Sequence, residues 1–264
     1  IRDRNKPLGE DVSLSELAKA TGGFTGADLA NVLNEAALLC ARAGAQLIDN
    51  RAIDEAIDRV QAGPKRRSKG MALDELRNTA YHEGGHALVA AAMNDTDPVT
   101  KVTILPRGRA LGYTAVMPTE DRYSMSRNQL LDQMAYAMGG RTAEEVVFHD
   151  PTTGASNDIE QATKLARSMV SRFGMSSEFG MVAMETVQSQ YLGGDTSLTC
   201  SMETQTKIDK KVTEIIQTQY DKAMQLLQTN QPKLHEIAKY LYEHETITGE
   251  EFMQILNRPM IEQQ

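Results

Sequence analysis

Apolar residues recur at helical spacing along most of this chain, and only two short stretches alternate as strands do. Ser13-Leu14-Ser15-Glu16 has capping-box form and predicts a short helix ending near Gly22-Gly23. Thr25 then caps a helix whose first turn holds Asp28 and whose stripe is Leu29, Val32, Leu33, Ala36, Ala37 and Cys40. A third helix is predicted over 51–60, with Ala52, Ile53, Ala56, Ile57 and Val60 facing inward. After a break the pattern predicts one helix from Leu73 to Met93, stopped by Asn94-Asp95 and Pro98. The strand-like segments are Val99 to Leu105 and Leu111 to Met117, joined by a turn at Pro106-Arg107-Gly108.

From Ser126 helical spacing returns through Leu130, Leu131, Met134 and Met138, and Gly139-Gly140 reads as its end, with a second short helix from Thr142 to Phe148. Asp150 to Gly154 reads as a loop. The next helix starts around Ser156-Asn157-Asp158, where Asn157 and Glu160 have capping-box spacing, and its stripe runs Ala162, Leu165, Ala166, Met169, Val170, Phe173. The Gly/Ser/Thr-rich stretch 178–198 is expected to be looped. Amphipathic helices are expected over 201–229 and 232–242, with a last one beginning at the capping pair Thr248 and Glu251. The fold class expected is therefore mainly α with a small β-hairpin.

The run Gly63-Pro64-Lys65-Arg66-Arg67-Ser68-Lys69-Gly70 is Gly/Pro-bounded and basic, as a solvated linker is, and divides a helical unit at 1–62 from a larger domain at 71–264. A net charge of −8 argues against nucleic acid as a partner. Cys40 and Cys200 have neither metal-type nor disulfide-framework spacing, which favours a reducing compartment. The chain opens on Ile1 rather than Met and is read as a fragment, so the lack of an apolar run of about 20 residues leaves the parent's membrane relation open.

The chemistry concentrates in His82-Glu83-Gly84-Gly85-His86. On one helix His82 and His86 lie a turn apart on one face, where two imidazoles can share a Zn2+. Glu83 then stands beside the ion as general base for metal-bound water. Such a pair can arise by chance or as hydrogen-bonded core. Yet Gly84 and Gly85 each cost about 1 kcal/mol in a helix interior, so close backbone approach is expected there. A two-His site needs a third ligand, and spacing leaves Asp158, Glu144, Glu145, His149 and Asp150 as candidates. Asp158 shares the inward stripe of its helix, although a first-turn Asp can equally serve the helix N-terminus. Gly112-Tyr113-Thr114, in the second strand, is the expected edge for an extended substrate, against the plainer role of covering the core. His235 and His244 read as ordinary helix or loop histidines.

With these residues in view the chain resembles the FtsH family of membrane-anchored AAA zinc proteases over nearly its whole length. The motifs are His82-Glu83-Gly84-Gly85-His86, Gly139-Gly140-Arg141-Thr142-Ala143-Glu144-Glu145 and Thr153-Gly154-Ala155-Ser156-Asn157-Asp158; Gly23 to Ala30 resembles the helical lid after the family's ATPase core. Gly84 departs from the small residue, often Ala, found there in the family, and the Walker motifs and membrane anchor are missing from this chain. The resemblance implies a helical AAA lid followed by a mostly helical zincin-type peptidase domain. It implies His82, His86 and Asp158 as zinc ligands, Glu83 as general base, Glu144 steadying a ligand imidazole, and Gly26 and Ala27 near the adenine of ATP. It further implies ATP with Mg2+ in the full-length protein, a homohexamer, unfolded or membrane protein substrates, and the cytoplasmic face of a bacterial inner membrane (matrix or stromal side in an organelle). The rival readings are an interaction module with a degenerate metal site, and another zincin such as an aminopeptidase, whose third ligand is a Glu.

Overall fold

Thr25 accepts a hydrogen bond from the Asp28 backbone, and Asp28 returns one to Thr25, so the first long helix begins where a capping box places it. The computed structural model describes residues 6–65, 72–108, 110–118, 124–187 and 196–258. Its opening helices are α1 (Leu14–Ala20), α2 (Gly26–Arg42) and α3 (Asn50–Ala62). Val32, Ala36 and Cys40 of α2 meet Ile53, Ala56 and Ile57 of α3 in a small core that also takes in Ile48. At α1 the box is half-formed: Ser13 accepts from the Glu16 backbone, and no return bond is made.

The second and larger core is built around α4 (Leu73–Ala92) and α5 (Arg127–Phe148). Around them lie α6 (Ser156–Ser171), α7 (Met202–Thr229), α8 (Gln231–His244) and α9 (Gly249–Asn257). Met134, Met169, Ile208, Leu227, Leu234, Ile237 and Phe252 are almost fully buried there, each stabilising by about 1.5–3 kcal/mol relative to exposure. Strands β1 (Val99–Thr103) and β2 (Tyr113–Val116) pair antiparallel, with an irregularity between Val99 and Lys101. The expected hairpin is thus present, with shorter strands than the pattern suggested. A third strand lies on the far side of β1. It is β5 (Thr246–Thr248), giving the order β2-β1-β5. Among the described residues, β2 is an outer strand of this sheet.

Several expectations change. Gly139-Gly140 ends no helix: α5 runs through it to Phe148, with His149 in the left-handed conformation as its C-cap. The glycines serve a helix crossing instead. A Cβ built on Gly85 would lie 2.5 Å from the Gly139 carbonyl oxygen, and one on Gly139 would lie 2.9 Å from that of Gly85, so α4 and α5 touch backbone to backbone. Gly84 faces the other way, toward Ile237 and Leu234 of α8. The Asn157–Glu160 box does not form, because a 3-10 turn over Thr153–Ala155 leads directly into α6 and makes Ala155 its N-cap; Glu160 pairs with Lys164 instead. Phe173 lies past the end of α6 and is 45% exposed rather than part of the buried stripe. The stretch expected to be looped holds β3 (Glu185–Val187) and β4 (Thr196–Leu198), an antiparallel pair; its residues 188–195 lie outside the described residues, as do 66–70 of the basic run.

Candidate metal centre

The crossing of α4 and α5 creates the site. His82 and His86 project from α4 with their Nε2 atoms 3.1 Å apart, and Asp158, in the first turn of α6, places Oδ2 at 3.5 and 3.6 Å from them. Three ligand atoms around a tetrahedral zinc, at bond lengths of roughly 2.0–2.2 Å, stand roughly 3.3 Å apart, so this donor set fits the ion. Among the described residues it is the one cluster of three His, Cys, Asp or Glu side chains whose donor atoms converge in this way.

Each imidazole is fixed from behind. The Nδ1 of His86 donates to the Tyr136 carbonyl at 2.8 Å, which leaves Nε2 as the lone-pair nitrogen. The Nδ1 of His82 donates to Glu144 Oε1 at 2.7 Å, while Glu144 Oε2 accepts from the Thr152 backbone at 2.7 Å. Burial opposes protonation of His82, but the Asp158 and Glu144 carboxylates outweigh it and push its pKa up to about 10. Burial likewise works to raise Asp158, yet its hydrogen bonds to the two histidines hold its carboxyl well below the usual range.

Glu83 is 6% exposed and points to the side of the histidine pair toward the sheet. Burial raises its pKa. Its Oε2 accepts from the Thr114 hydroxyl at 2.8 Å, and the same hydroxyl reaches the Glu83 carbonyl at 3.1 Å. Gly112 comes just as close: a Cβ there would sit 3.0 Å from Glu83 Oε1 and 2.6 Å from the Thr103 carbonyl. The Tyr136 hydroxyl donates to the Thr114 carbonyl at 2.9 Å, tying α5 to β2. The segment 112–114 therefore runs along the general-base candidate at an outer strand. Beside it a groove of about 410 Å³ opens between α5 and α6, with Asp158, Tyr136, Ala162, Leu165 and Phe173 in its walls.

The other acids are placed apart from the centre. Glu145 pairs with Arg141 at 2.9 Å and accepts from the Tyr220 hydroxyl, while His149 and Asp150 are exposed at the end of α5. His235 Nδ1 meets the Tyr81 hydroxyl at 2.9 Å, and His244 Nδ1 donates to the Tyr240 carbonyl at 3.0 Å; neither belongs to the converging donor set. Gly26 and Ala27 are exposed at the start of α2. One residue central to the geometry escaped the sequence reading. A Cβ on Gly140 would lie 2.5 Å from both histidine Nε2 atoms, so bare backbone is needed under the two rings. The adjacent glycines in a long apolar pattern were the available signal for it.

Family models and curated proteins match the chain over most of its length. The model of peptidase family M41 matches residues 70–255, and that of the AAA+ lid domain matches residues 11–55. The ATP-dependent zinc metalloprotease FtsH of Cutibacterium acnes is 52% identical over 258 residues, covering 97% of this chain and 36% of that protein. FtsH of Thermus thermophilus is 50% identical over 257 residues, 97% of this chain and 41% of that protein. FtsH 1 of a Thermoanaerobacter species is 48% identical over 265 residues, 99% of this chain and 43% of that protein. The chain thus spans about two fifths of the length of these curated relatives.

Proposed function

The chain belongs to peptidase family M41, and from that premise we propose that it is the peptidase part, with a helical lid, of an ATP-dependent zinc endopeptidase. Residues 1–62 are read as the lid, 63–70 as the linker and 71–264 as the peptidase. The observation that carries the reading is the convergence of His82, His86 and Asp158 with a buried Glu83 alongside.

In this reading His82, His86 and Asp158 hold Zn2+, and Glu144 keeps the His82 ring turned toward it. The ion, when bound, polarises the scissile carbonyl and makes water more acidic. Glu83 takes the proton of the attacking water as oxygen adds to the carbonyl carbon, and passes a proton to the amine as the C–N bond breaks. Its raised pKa suits both halves of that transfer. Thr114 holds the Glu83 carboxylate in place, and the outer edge at Gly112, Tyr113 and Thr114 receives the substrate main chain as an added strand. Such pairing reads backbone more than side chains, which suits unfolded protein substrates.

The remaining features rest on the family. Gly26 and Ala27 approach the adenine of ATP, held with Mg2+ mainly by an ATPase core beyond this chain. The assembled enzyme is a homohexamer acting on unfolded and membrane proteins, anchored at the cytoplasmic face of a bacterial membrane. Among the described residues no helix is long and apolar enough to cross a membrane. The test is elemental analysis of the purified chain beside Asp158→Ala, followed by cleavage of an unfolded protein with and without chelator. One zinc per chain, lost in the variant, and chelator-sensitive cleavage are expected; full zinc in Asp158→Ala overturns the ligand set.

A further inference from the structure

Side chains alternate across a strand, and in β2 the alternation joins two parts of the molecule. Thr114 turns toward α4 and holds Glu83, whereas Tyr113 turns the other way and donates to Asp58 of α3 at 2.7 Å. Asp58 is 8% exposed although ionic, and the described partners of its carboxylate all come from the sheet and its turn. Lys101 of β1 donates to both its oxygens at 2.8 and 3.0 Å, and Arg107, in the β1–β2 turn, donates to Oδ2 at 3.0 Å. Arg107 is 2% exposed and also forks onto Glu55, one turn back on α3, at 2.7 and 3.2 Å. Lys65 extends the contact, pairing with Glu55 at 3.3 Å and bridging to the Arg107 backbone. A buried charge so placed cannot leave its partners cheaply.

We propose that Asp58 is a positioning residue for the peptidase centre: by gripping Tyr113, Lys101 and Arg107 it sets strand β2 against α4, so that Thr114 orients Glu83 only while α3 is docked. The proposal rests on the peptidase reading above. It makes the helical unit a working part of the active site, since a strand clamped from both faces transmits a shift at α3 to the general base over two consecutive residues.

The test uses the whole chain carrying Tyr113→Phe, which deletes one hydroxyl and keeps the ring, and Asp58→Asn, which keeps an acceptor but removes the charge. Zinc per chain, kcat and KM on an unfolded labelled protein, and amide hydrogen exchange over 112–116 are measured for each. Misplacement of a catalytic group by about 1 Å can cost about 100-fold, so kcat is expected to fall about tenfold or more, with KM nearly constant, zinc retained and exchange over 112–116 accelerated. Unchanged kcat, or a lower kcat with unchanged exchange, overturns the proposal. So does zinc lost in step with activity, because the role is then merely structural. A wild-type chain that binds zinc but cleaves nothing defeats the peptidase reading instead, and the exchange measurement alone then decides whether Asp58 sets β2.

Discussion

Replacing Gly140 with Ala adds a single methyl group to a helix and is expected to abolish metal binding. A Cβ at this position lies 2.5 Å from Nε2 of both His82 and His86 and 2.6 Å from Cε1 of His82. Ordinary contact needs about 3.5 Å, so both rings must retreat by roughly 1 Å. Ligand distances in a metal site tolerate only about ±0.2 Å, and the two imidazoles are held from behind by Glu144 and the Tyr136 carbonyl. Loss of an outer partner of a ligand alone costs about 10–100-fold in affinity; displacing both ligands should exceed that. The fold should survive: Gly→Ala removes about 1 kcal/mol of helix penalty while overpacking costs about 1–3 kcal/mol. Competitive chelator titration and thermal melting of the metal-free protein provide the readouts. Gly84→Ala is the control, since its methyl meets side-chain carbons of Ile237 and Leu234 at 3.3 and 3.5 Å and the Ala238 backbone nitrogen at an ordinary 3.9 Å, and neither histidine. Near-native zinc affinity in Gly140→Ala, or equal losses in both variants, would refute the steric argument.

Glu83→Gln should keep stoichiometric zinc and lose nearly all turnover on an unfolded protein; substantial residual cleavage removes Glu83 from its role. Glu144→Gln, which keeps the shape but not the charge facing His82, should weaken zinc about 10–100-fold, measured by chelator competition, and an unchanged affinity counts against Glu144 as the support of that ring. Burial favours a protonated Glu55, but Arg107 and Arg59 prevail and draw its pKa down to about 2. The stability it confers is therefore complete above the ordinary carboxylate range near 4.5 and is lost as pH falls toward 2. Glu55→Gln should lower the melting temperature at pH 6 and differ progressively less from wild type down to pH 3, and a deficit independent of pH contradicts this reading.

The sequence pattern carried the helices well, because long amphipathic stripes and capping residues are local signals. Thr25 with Asp28, Ser126 with Gln129 and Thr248 with Glu251 all close full capping boxes. His82 and His86 were legible for the same reason, four residues apart on one helix. Asp158 was not: its approach to them depends on how α6 packs against α5, so spacing left five candidates and the family resemblance chose among them. Gly139-Gly140 misled because a glycine pair has the same local meaning whether it ends a helix or admits another one, and only the neighbour at Gly85 distinguishes the two. Strand β5 has three residues, too few for alternation to register, and its pairing with β1 is wholly nonlocal. The grip of Thr114 on Glu83 spans 31 positions and leaves no trace in either segment alone.

The place of β5 also bears on how the molecule comes into being. Lys101 pairs with Thr248, so 147 positions must be made between the two halves of that ladder. At roughly 5–20 residues per second this takes about 7–30 s on the ribosome. During that interval β1 can pair with β2 on one side while its other edge stays open, and open edges recruit foreign strands. Ile247 and Phe252, fully buried in the finished core, arrive at the same late moment. A nascent chain is thus exposed to aggregation until β5 and α9 emerge, and it completes the sheet that borders Glu83 only then. Synthesis itself delays completion of the layer against which Glu83 lies.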